Sequence, residues 1–396
     1  MSLELLEKPR HAGAWDRFQE IGLPTKQNEV YRYVRFKDLY SLPFSAALPF
    51  DASITPVEST LVFANGAYCE DLSSPPKGVI ALPLSKAFST YGSFLTARMN
   101  KWTKEENDPF AALNGAYYTE GLFLYLPPKC VCSTPIRIIH YTEGSPKPAH
   151  LCPRIHLFAG KESAAEITWQ QSGSLAHVWV NAFIDCALEE AASLTLTQVN
   201  HLPETAHHFC ALRATLKRRS MLKSFSVTNG SATSREDYLV RLQGEEAEAS
   251  LYGVWSLKDH RQHHVNLWID HQEPSCTSLQ KFKGTLEDSS RSSFEGKIYV
   301  HQKAQKTQAY QMNNNLILGE RAAANSKPNL EIFADDVKAS HGSTIGQIDP
   351  EQLFYFQARG VPASLAQKLL VQGFSKEVID LIPQQLLREE ALRSLA

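Results

Sequence analysis

An apolar residue recurs at nearly constant intervals through the middle of the chain. Ile167, Leu194, Leu222, Leu251 and Leu279 are separated by 27, 28, 29 and 28 residues. Each interval holds two segments in which β-branched and aromatic residues alternate with polar ones, joined by a short polar turn. A repeat of this length without a helix is typical of one coil of a β-solenoid, where equivalent residues of successive coils stack. The repeat therefore predicts that these five residues are buried in one line.

An antiparallel sandwich with evenly spaced hairpins is the alternative explanation of this spacing. The same side-chain types recur at the same phase, which favours the solenoid. The chain has 396 residues, more than the about 250–300 at which a single hydrophobic core stops growing, so several parts are expected. We predict a mainly β protein with an N-terminal helical or mixed domain at 1–115, a β-solenoid core at 116–337 and a C-terminal helical domain at 338–396.

Charge and composition indicate an ordinary globular protein. Forty basic against 42 acidic residues leave a net charge of −2, so nothing points to nucleic acid or an anionic membrane as a partner. No apolar run approaches the about 20 residues that span a bilayer. The first residues show no apolar segment followed by a cleavage site, and a cytoplasmic location is expected.

The cysteines favour reduced thiols over a disulfide framework or a zinc site. There are seven, an odd number, and none forms a C-x-x-C pair. Cys130 and Cys132 stand one residue apart in a predicted strand. We expect their thiols to lie on opposite faces of that strand.

Helical signals flank the repeat. Near the N-terminus, Trp15, Phe18 and Ile21 follow one another at a spacing of three, Gly22 ends that pattern, and Thr25 is placed to cap a second helix.

Three short helices are predicted after the repeat. Asp349 is placed to cap the first, with Pro350 at its first position and Gly360 at its end. A second helix is expected to end at Gly373 and a third to begin at Ser375. Helices this short require packing on the solenoid or on a partner.

The usual catalytic motifs are absent from the sequence. It contains no G-x-x-x-x-G-K-[ST], G-x-G-x-x-G, H-E-x-x-H or G-x-S-x-G. The pairs His207-His208 and His263-His264 are adjacent, so on a strand their side chains diverge and cannot share a metal without distortion. We expect these four histidines at the surface.

The stretch DDVKASHGSTIG, residues 335–346, is the candidate site. Asp335 and Asp336 diverge if the backbone is extended, which argues against an acid/base pair. His341 stands beside a glycine, and an imidazole there can be a metal ligand, a proton carrier or a hydrogen-bonded turn residue. The residues alone leave these three roles open.

Two stretches resemble a known family. KTQAYQMNNNLILGERAAANSKPNLEIFADDVKASHGSTIGQIDPEQLFYFQARGVP, residues 306–362, resembles the signature end of the SufB/SufD family of iron–sulfur cluster assembly scaffolds. GLPTKQNEVYRY, residues 22–33, resembles the N-terminal motif of its SufD-type members. The fold this implies is a right-handed parallel β-helix flanked by N- and C-terminal helical segments.

The resemblance implies a scaffold subunit that is not an enzyme on its own. It implies pairing with a SufB-like subunit and binding of a SufC-like ATPase, with homodimers possible when the SufB-like partner is absent. The iron–sulfur cluster would be transient and shared with the partner. The resemblance also allows a flavin, bound by the complex, as the electron source.

The resemblance also assigns residues. His341 would face the nascent cluster, with Asp336, Ser340 and Gly342 as interface or turn residues beside it. Many relatives have a cysteine two residues before this histidine, where this chain has Ala339, so thiolate and carboxylate ligands would come from the partner. The residues expected to dock the ATPase are Leu353, Phe354, Phe356, Arg359, Leu369 and Phe374.

Two other functions remain as alternatives. A structural or interaction solenoid without a cluster role predicts that His341 is replaceable. A carbohydrate-active β-helix enzyme predicts paired acids on one face of the solenoid, and no acid pair recurs at the coil spacing.

Overall fold

The computed structural model describes residues 4–5, 7–46, 55–145 and 147–394. Its helices are α1 (Ala12–Ile21), α2 (Leu84–Glu105), α3 (Pro109–Tyr117), α4 (Pro350–Ala358), α5 (Ala363–Ile379) and α6 (Gln385–Ser394). Its strands are β1 (Glu4–Leu5), β2 (Pro43–Phe44), β3 (Thr60–Ala64), β4 (Ala67–Ser74), β5 (Ile80–Pro83), β6 (Leu122–Leu126), β7 (Ile136–Thr142), β8 (Ala149–Leu151), β9 (Arg154–Ala159), β10 (Ala164–Gly173), β11 (Val178–Leu188), β12 (Ser193–His201), β13 (His207–Leu216), β14 (Met221–Thr228), β15 (Thr233–Leu242), β16 (Glu248–Leu257), β17 (Gln262–His271), β18 (Thr277–Leu286), β19 (Arg291–Val300), β20 (Thr307–Ile317), β21 (Ala323–Ile332) and β22 (Val337–Gly346).

The strands form a parallel β-solenoid of about eight turns. The first sheet has the order β22-β20-β18-β16-β14-β12-β10-β7-β3-β4, and the second has the order β21-β19-β17-β15-β13-β11-β9-β6-β5. From β9 onwards the chain alternates between the two sheets, and from β12 onwards each strand pairs in parallel with strands two places away in the chain. The mainly β solenoid with helical ends that the repeat predicts is confirmed.

A corner between the two sheets repeats with the coil. At five successive corners from the second sheet to the first, one residue adopts a left-handed backbone, with φ of 59° at Glu162, 56° at Ala191, 53° at Arg219, 59° at Glu246 and 60° at Ser275. None of these is glycine, although an L-residue in this conformation is strained by about 1–2 kcal/mol. The left-handed conformation recurs because it turns the chain from the second sheet into the first at each of these corners.

The prediction that the five repeated apolar residues are buried in one line is wrong, because they do not share one register position. Leu194 lies beside Leu222, but Ser224 pairs with Leu251 and Leu279 pairs with Ser250. Leu194, Leu222 and Leu251 are buried, in two neighbouring columns of the interior, whereas Leu279 is only half-buried. The coils differ in length, so a constant sequence spacing drifts from the structural register by one or two residues, and a one-residue drift reverses the face.

The N-terminal segment both extends and covers the solenoid. α1 ends at Gly22, which has φ of 72°, as predicted. The second helix predicted at Thr25 is wrong: the Thr25 N–H donates to Asn28 Oδ1 at 2.8 Å, and only a short 3₁₀ helix, Glu29–Tyr31, follows. Strands β3 to β5 add to the two sheets, so the segment 1–115 contributes solenoid strands as well as helices.

The outer face of the second sheet is buried under α3 and the N-terminal segment. Asp108 caps α3 by accepting from the backbone N–H groups of Phe110 and Ala111, both at 2.9 Å. Arg213, on the face of β13 that points away from the interior, makes two hydrogen bonds of 2.8 Å to the Glu106 carboxylate. This charged contact joins the N-terminal segment to the solenoid.

The expectation that four histidines lie at the surface is wrong. His207, His208, His263 and His264 are all buried, because strands β13 and β17 are covered on both faces, by the interior on one side and the N-terminal segment on the other. Burial lowers the pKa of His208 to about 3 and that of His207 to about 4, so these imidazoles are neutral.

The C-terminal helices lie against the first sheet. Asp349 caps α4 by accepting from the Glu351 N–H at 2.9 Å, as predicted. The break predicted at Gly373 is wrong, because α5 continues through it to Ile379. Val378 and Ile379 of α5 pack on outward-facing apolar residues of the sheet, and this packing offsets the low helix propensity of glycine. Within the described ranges no helix is long and apolar enough to cross a membrane.

Candidate functional site

His341 lies in the last strand of the solenoid and not in a turn. β22 runs from Val337 to Gly346 and pairs in parallel with β20, so the predicted C-terminal domain at 338–396 begins with strand residues. The turn expected around His341 is therefore wrong. Its serine, threonine and glycine neighbours resemble turn residues in composition, but the hydrogen bonds of β20 hold them extended.

The side chain of His341 completes a column of the solenoid interior. Leu251 pairs with Gln280, Gln280 with Gln311, and Gln311 with His341. Leu251 is 1% exposed, Gln280 0% and Gln311 3%, whereas His341 is exposed. His341 has the same inward orientation as the other three, and it is exposed because no coil follows it.

Amide side chains occupy the interior immediately below this open end. Gln311 Nε2 donates to Gln280 Oε1 at 3.0 Å, and Asn315 Nδ2 donates to Asn313 Oδ1 at 2.8 Å. All four side chains are buried. Gln311 Oε1 has no hydrogen-bond partner. The interior therefore changes from apolar to polar as it approaches His341.

The other predicted site residues do not face the same way as His341. Ser340 and Gly342 precede and follow it in the strand and so point to the opposite face. Gly342 has no left-handed backbone, and a side chain there would meet the end of the Met312 side chain at 2.9 Å. Asp336 closes the preceding corner: its N–H donates to Gln305 Oε1 at 2.9 Å, and its carbonyl accepts from the Lys306 N–H at 2.6 Å.

The last coil presents two strand edges. Among the described strands, β22 pairs only with β20, and β21 pairs only with β19. Large apolar side chains are exposed around this end, at Met312, Phe333 and Ile345. Unpaired N–H and C=O groups beside exposed apolar side chains form a template for another β-chain.

His341 can offer one imidazole nitrogen to a metal. Among the described residues no group of three or more His, Cys, Asp or Glu side chains is placed to hold a metal ion. A complete coordination sphere at His341 therefore requires groups from another molecule.

The residues predicted to dock an ATPase divide into two groups. Phe354 on α4 is 70% exposed. Arg359, which follows the end of α4, and Leu369 on α5 are also exposed. Leu353, Phe356 and Phe374 are half-buried. The Phe374 ring lies 4.4 Å from Lys283 Nζ on β18.

Reasoning from the sequence did not identify the polar interior column. Gln280 and Gln311 belong to strands in which polar and apolar residues alternate. Such alternation predicts that the polar residues face solvent. The stretch QAYQMNNN, residues 308–315, carries the missing signal. Gln311, Asn313 and Asn315 share one face of it, and burial of that face follows once Ala309 is assigned to the interior.

Fold and site together define a class: a parallel β-solenoid with helical ends, whose last coil is open and carries an inward-facing histidine. Comparison with known families specifies it further. The model of the SUF system FeS cluster assembly SufBD core domain matches residues 140–374, and that of the SufBD protein N-terminal region matches residues 1–138. The chain belongs to the SufBD family of iron–sulfur cluster assembly proteins.

Individual relatives agree over most of the chain. It is similar to the iron-sulfur cluster assembly protein SufD of Escherichia coli, with 27% identity over 94% of this chain and 88% of that protein. It is 26% identical to the SufBD family protein slr0076 of Synechocystis, over 94% of this chain and 87% of the relative. The SufBD family protein ML0594 of Mycobacterium leprae is 31% identical over 66% of this chain and 68% of its own length.

Proposed function

We propose that this chain is a SufD-type scaffold subunit that forms one side of a site where an iron–sulfur cluster is assembled. The observation that carries the proposal is His341, which stands inward-facing and exposed at the open end of a column whose preceding members are buried. The cluster is cargo, held transiently and shared with a partner. On its own the chain has no catalytic activity.

The partner is a SufB-like subunit that covers the open end of the solenoid. Support comes from the unpaired edges of β21 and β22 and from the exposed apolar side chains beside them. A second solenoid added at this end would bring its own thiolate or carboxylate ligands toward His341. Without that subunit the same edges would pair two copies of this chain as a homodimer.

The C-terminal helices bind a SufC-like ATPase. The exposure of Phe354, Arg359 and Leu369 supports this role, because other parts of α5 are fixed on the solenoid. Phe374 and the half-buried Leu353 and Phe356 support the helices rather than touch the ATPase directly. Energy for cluster assembly then comes from the ATPase, and reducing equivalents come through the complex, with flavin as the carrier. The complex works in the cytoplasm.

The test of the cluster role is His341→Ala in the complex assembled from co-expressed subunits. Iron and acid-labile sulfide are measured per complex after anaerobic assembly. We expect the complex to form normally and its cluster content to fall at least tenfold, because an exposed side chain at a strand edge contributes little to packing. His260→Ala replaces another exposed histidine and should leave the content unchanged. Wild-type loading in a normally assembled His341→Ala complex would contradict the proposal and favour a purely structural solenoid.

The test of ATPase docking uses single substitutions, because removal of α5 and α6 would uncover the apolar surface on which they pack. Phe354→Ser should abolish co-purification of the SufC-like subunit while the SufB-like subunit is retained. Phe94→Ser provides a matched control, since Phe94 is also an exposed phenylalanine but lies on α2. Retention of the ATPase by the Phe354→Ser variant would place docking elsewhere.

A further inference from the structure

Two cysteines point the same way at the first corner of the solenoid. Cys130 and Cys132 follow Lys129, which has the left-handed backbone of the corner residues, with φ of 63°. The expectation that their thiols lie on opposite faces is wrong, because side chains alternate along an extended chain and residues two apart share a face.

The next coil fixes the direction in which both thiols point. Val131 pairs with Ala164, so Cys130 is equivalent to Ser163 and Cys132 to Ala165. Ser163 and Ala165 are buried, and Ala165 belongs to the main interior cluster, against which both cysteines pack. Cys130 and Cys132 are thus inward-facing residues of the first coil.

The two thiols are free, half-buried and on the same face of the chain. Burial raises the pKa of Cys132 to about 11, and the neighbouring Cys130 adds to that shift. Cys130 Sγ also lies 3.8 Å from the carbonyl oxygen of Gly78. Of the remaining cysteines, Cys69 is half-buried and the other four are buried, so this pair holds two of the three half-buried thiols.

The number of ligands restricts what such a pair can bind. No third His, Cys, Asp or Glu side chain completes a metal-binding group here among the described residues, so a four-coordinate zinc or iron site lacks half its ligands. Soft thiolates select soft cations, and a monovalent soft cation is satisfied by two sulfur ligands in a nearly linear arrangement.

We propose that Cys130 and Cys132 form a two-coordinate binding site for a soft monovalent metal ion of the Cu(I) type. On binding, both S–H bonds break, two S–Cu bonds form, and two protons pass to solvent. The site then carries a net charge of −1, and no electron is transferred. The site lies at the end of the solenoid opposite to His341, so it is independent of the proposed cluster role.

The test is an anaerobic titration of the reduced, purified chain with Cu(I) buffered by bicinchoninate. Wild type should take up one Cu(I) per chain in competition with the chelator. Cys130→Ser and Cys132→Ala should each lower the affinity at least tenfold. The repeat itself supplies these replacements, since serine and alanine occupy the equivalent positions of the next coil, and unchanged thermal melting confirms that both variants fold.

Cys69→Ser is the matched control, because it removes a half-buried thiol outside the pair, and it should bind Cu(I) as wild type does. Wild-type affinity in either Cys130→Ser or Cys132→Ala would overturn the proposal, as would an equal loss in Cys69→Ser. X-ray absorption of the loaded chain should show two sulfur neighbours around copper, and a higher sulfur count would also overturn it.

Discussion

His341 stands directly beside Gln311 in the parallel register of β22 and β20, one coil beyond a glutamine that is buried. Gln311 in turn donates to Gln280 at 3.0 Å. The part of the interior next to the exposed imidazole is therefore a short stack of buried amide side chains and not an apolar core. This polar support places a hydrogen-bonding surface under any group that binds at the open end.

The amide stack leads to a prediction about stability. Gln311→Leu leaves Gln280 Oε1 buried without its donor, and an orphaned buried polar group costs about 1–3 kcal/mol. The double variant Gln280→Leu with Gln311→Leu removes both partners and should recover most of that loss. Urea unfolding of the wild type, the two single variants and the double variant measures the differences. A double variant whose loss relative to the wild type equals the sum of the two single losses would show that the amides do not act as a pair.

The solenoid register predicts different costs for two leucines that the sequence spacing treats alike. Leu251→Ala should lower the free energy of unfolding by about 2–5 kcal/mol, because Leu251 is buried in the interior and its loss leaves a cavity. Leu279→Ala should cost much less, since Leu279 points away from the interior and is half-buried. Equal losses in chemical denaturation would contradict the register of β16 and β18.

The comparison of these leucines shows what the sequence could and could not predict. The repeat identified the solenoid because the strands of every coil carry the same pattern, and Asp349 identified the start of α4 because a capping signal is local. The register could not be predicted because coils differ in length, so the face of Leu279 depends on pairing with a strand about 30 residues away.

For the same reason, the sequence predicts some parts of the candidate site and not others. His341 was found from a resemblance in its own segment, whereas its place above Gln311 depends on a partner strand. The burial of His207 was missed because an alternating strand predicts one solvent-facing side, and here the N-terminal segment covers that side. Long-range covering of this kind leaves no local pattern in the strand itself.

The ion pair between Arg213 and Glu106 predicts a large and specific loss. Arg213→Met leaves the buried Glu106 carboxylate, and Asp237 at 2.8 Å, without their shared cation. Breaking one side of a buried pair costs about 3–5 kcal/mol. Arg219→Met removes an exposed arginine paired with Glu190 at 2.8 Å and should cost less than about 1 kcal/mol. Similar losses in urea unfolding would show that the buried contact does not fix the N-terminal segment to the solenoid.

The buried histidines predict acid lability that begins well above the usual pKa of carboxylates. Burial lowers the pKa of His140 and His156 to about 4 and that of His208, His263 and His271 to about 3. In the unfolded chain each titrates near 6.5. As the pH falls below about 6.5, the unfolded state binds protons that the folded state does not bind, so the free energy of unfolding decreases on acidification. Asp108 opposes this, because burial raises its pKa to about 6 and the folded state gains stability as the pH falls through that value.

The histidines outnumber the opposing acids, so the free energy of unfolding should fall between about pH 7.5 and pH 5.5, by on the order of 1 kcal/mol for each buried histidine. Urea unfolding across this range measures the slope against pH. His208→Gln removes one of the contributing groups and should reduce the change in the free energy of unfolding over this whole range by about 1 kcal/mol, whatever its effect on stability at neutral pH. His260→Gln removes an exposed histidine and should leave the slope unchanged. A slope in His208→Gln equal to that of the wild type would mean that the imidazole is protonated inside the folded protein.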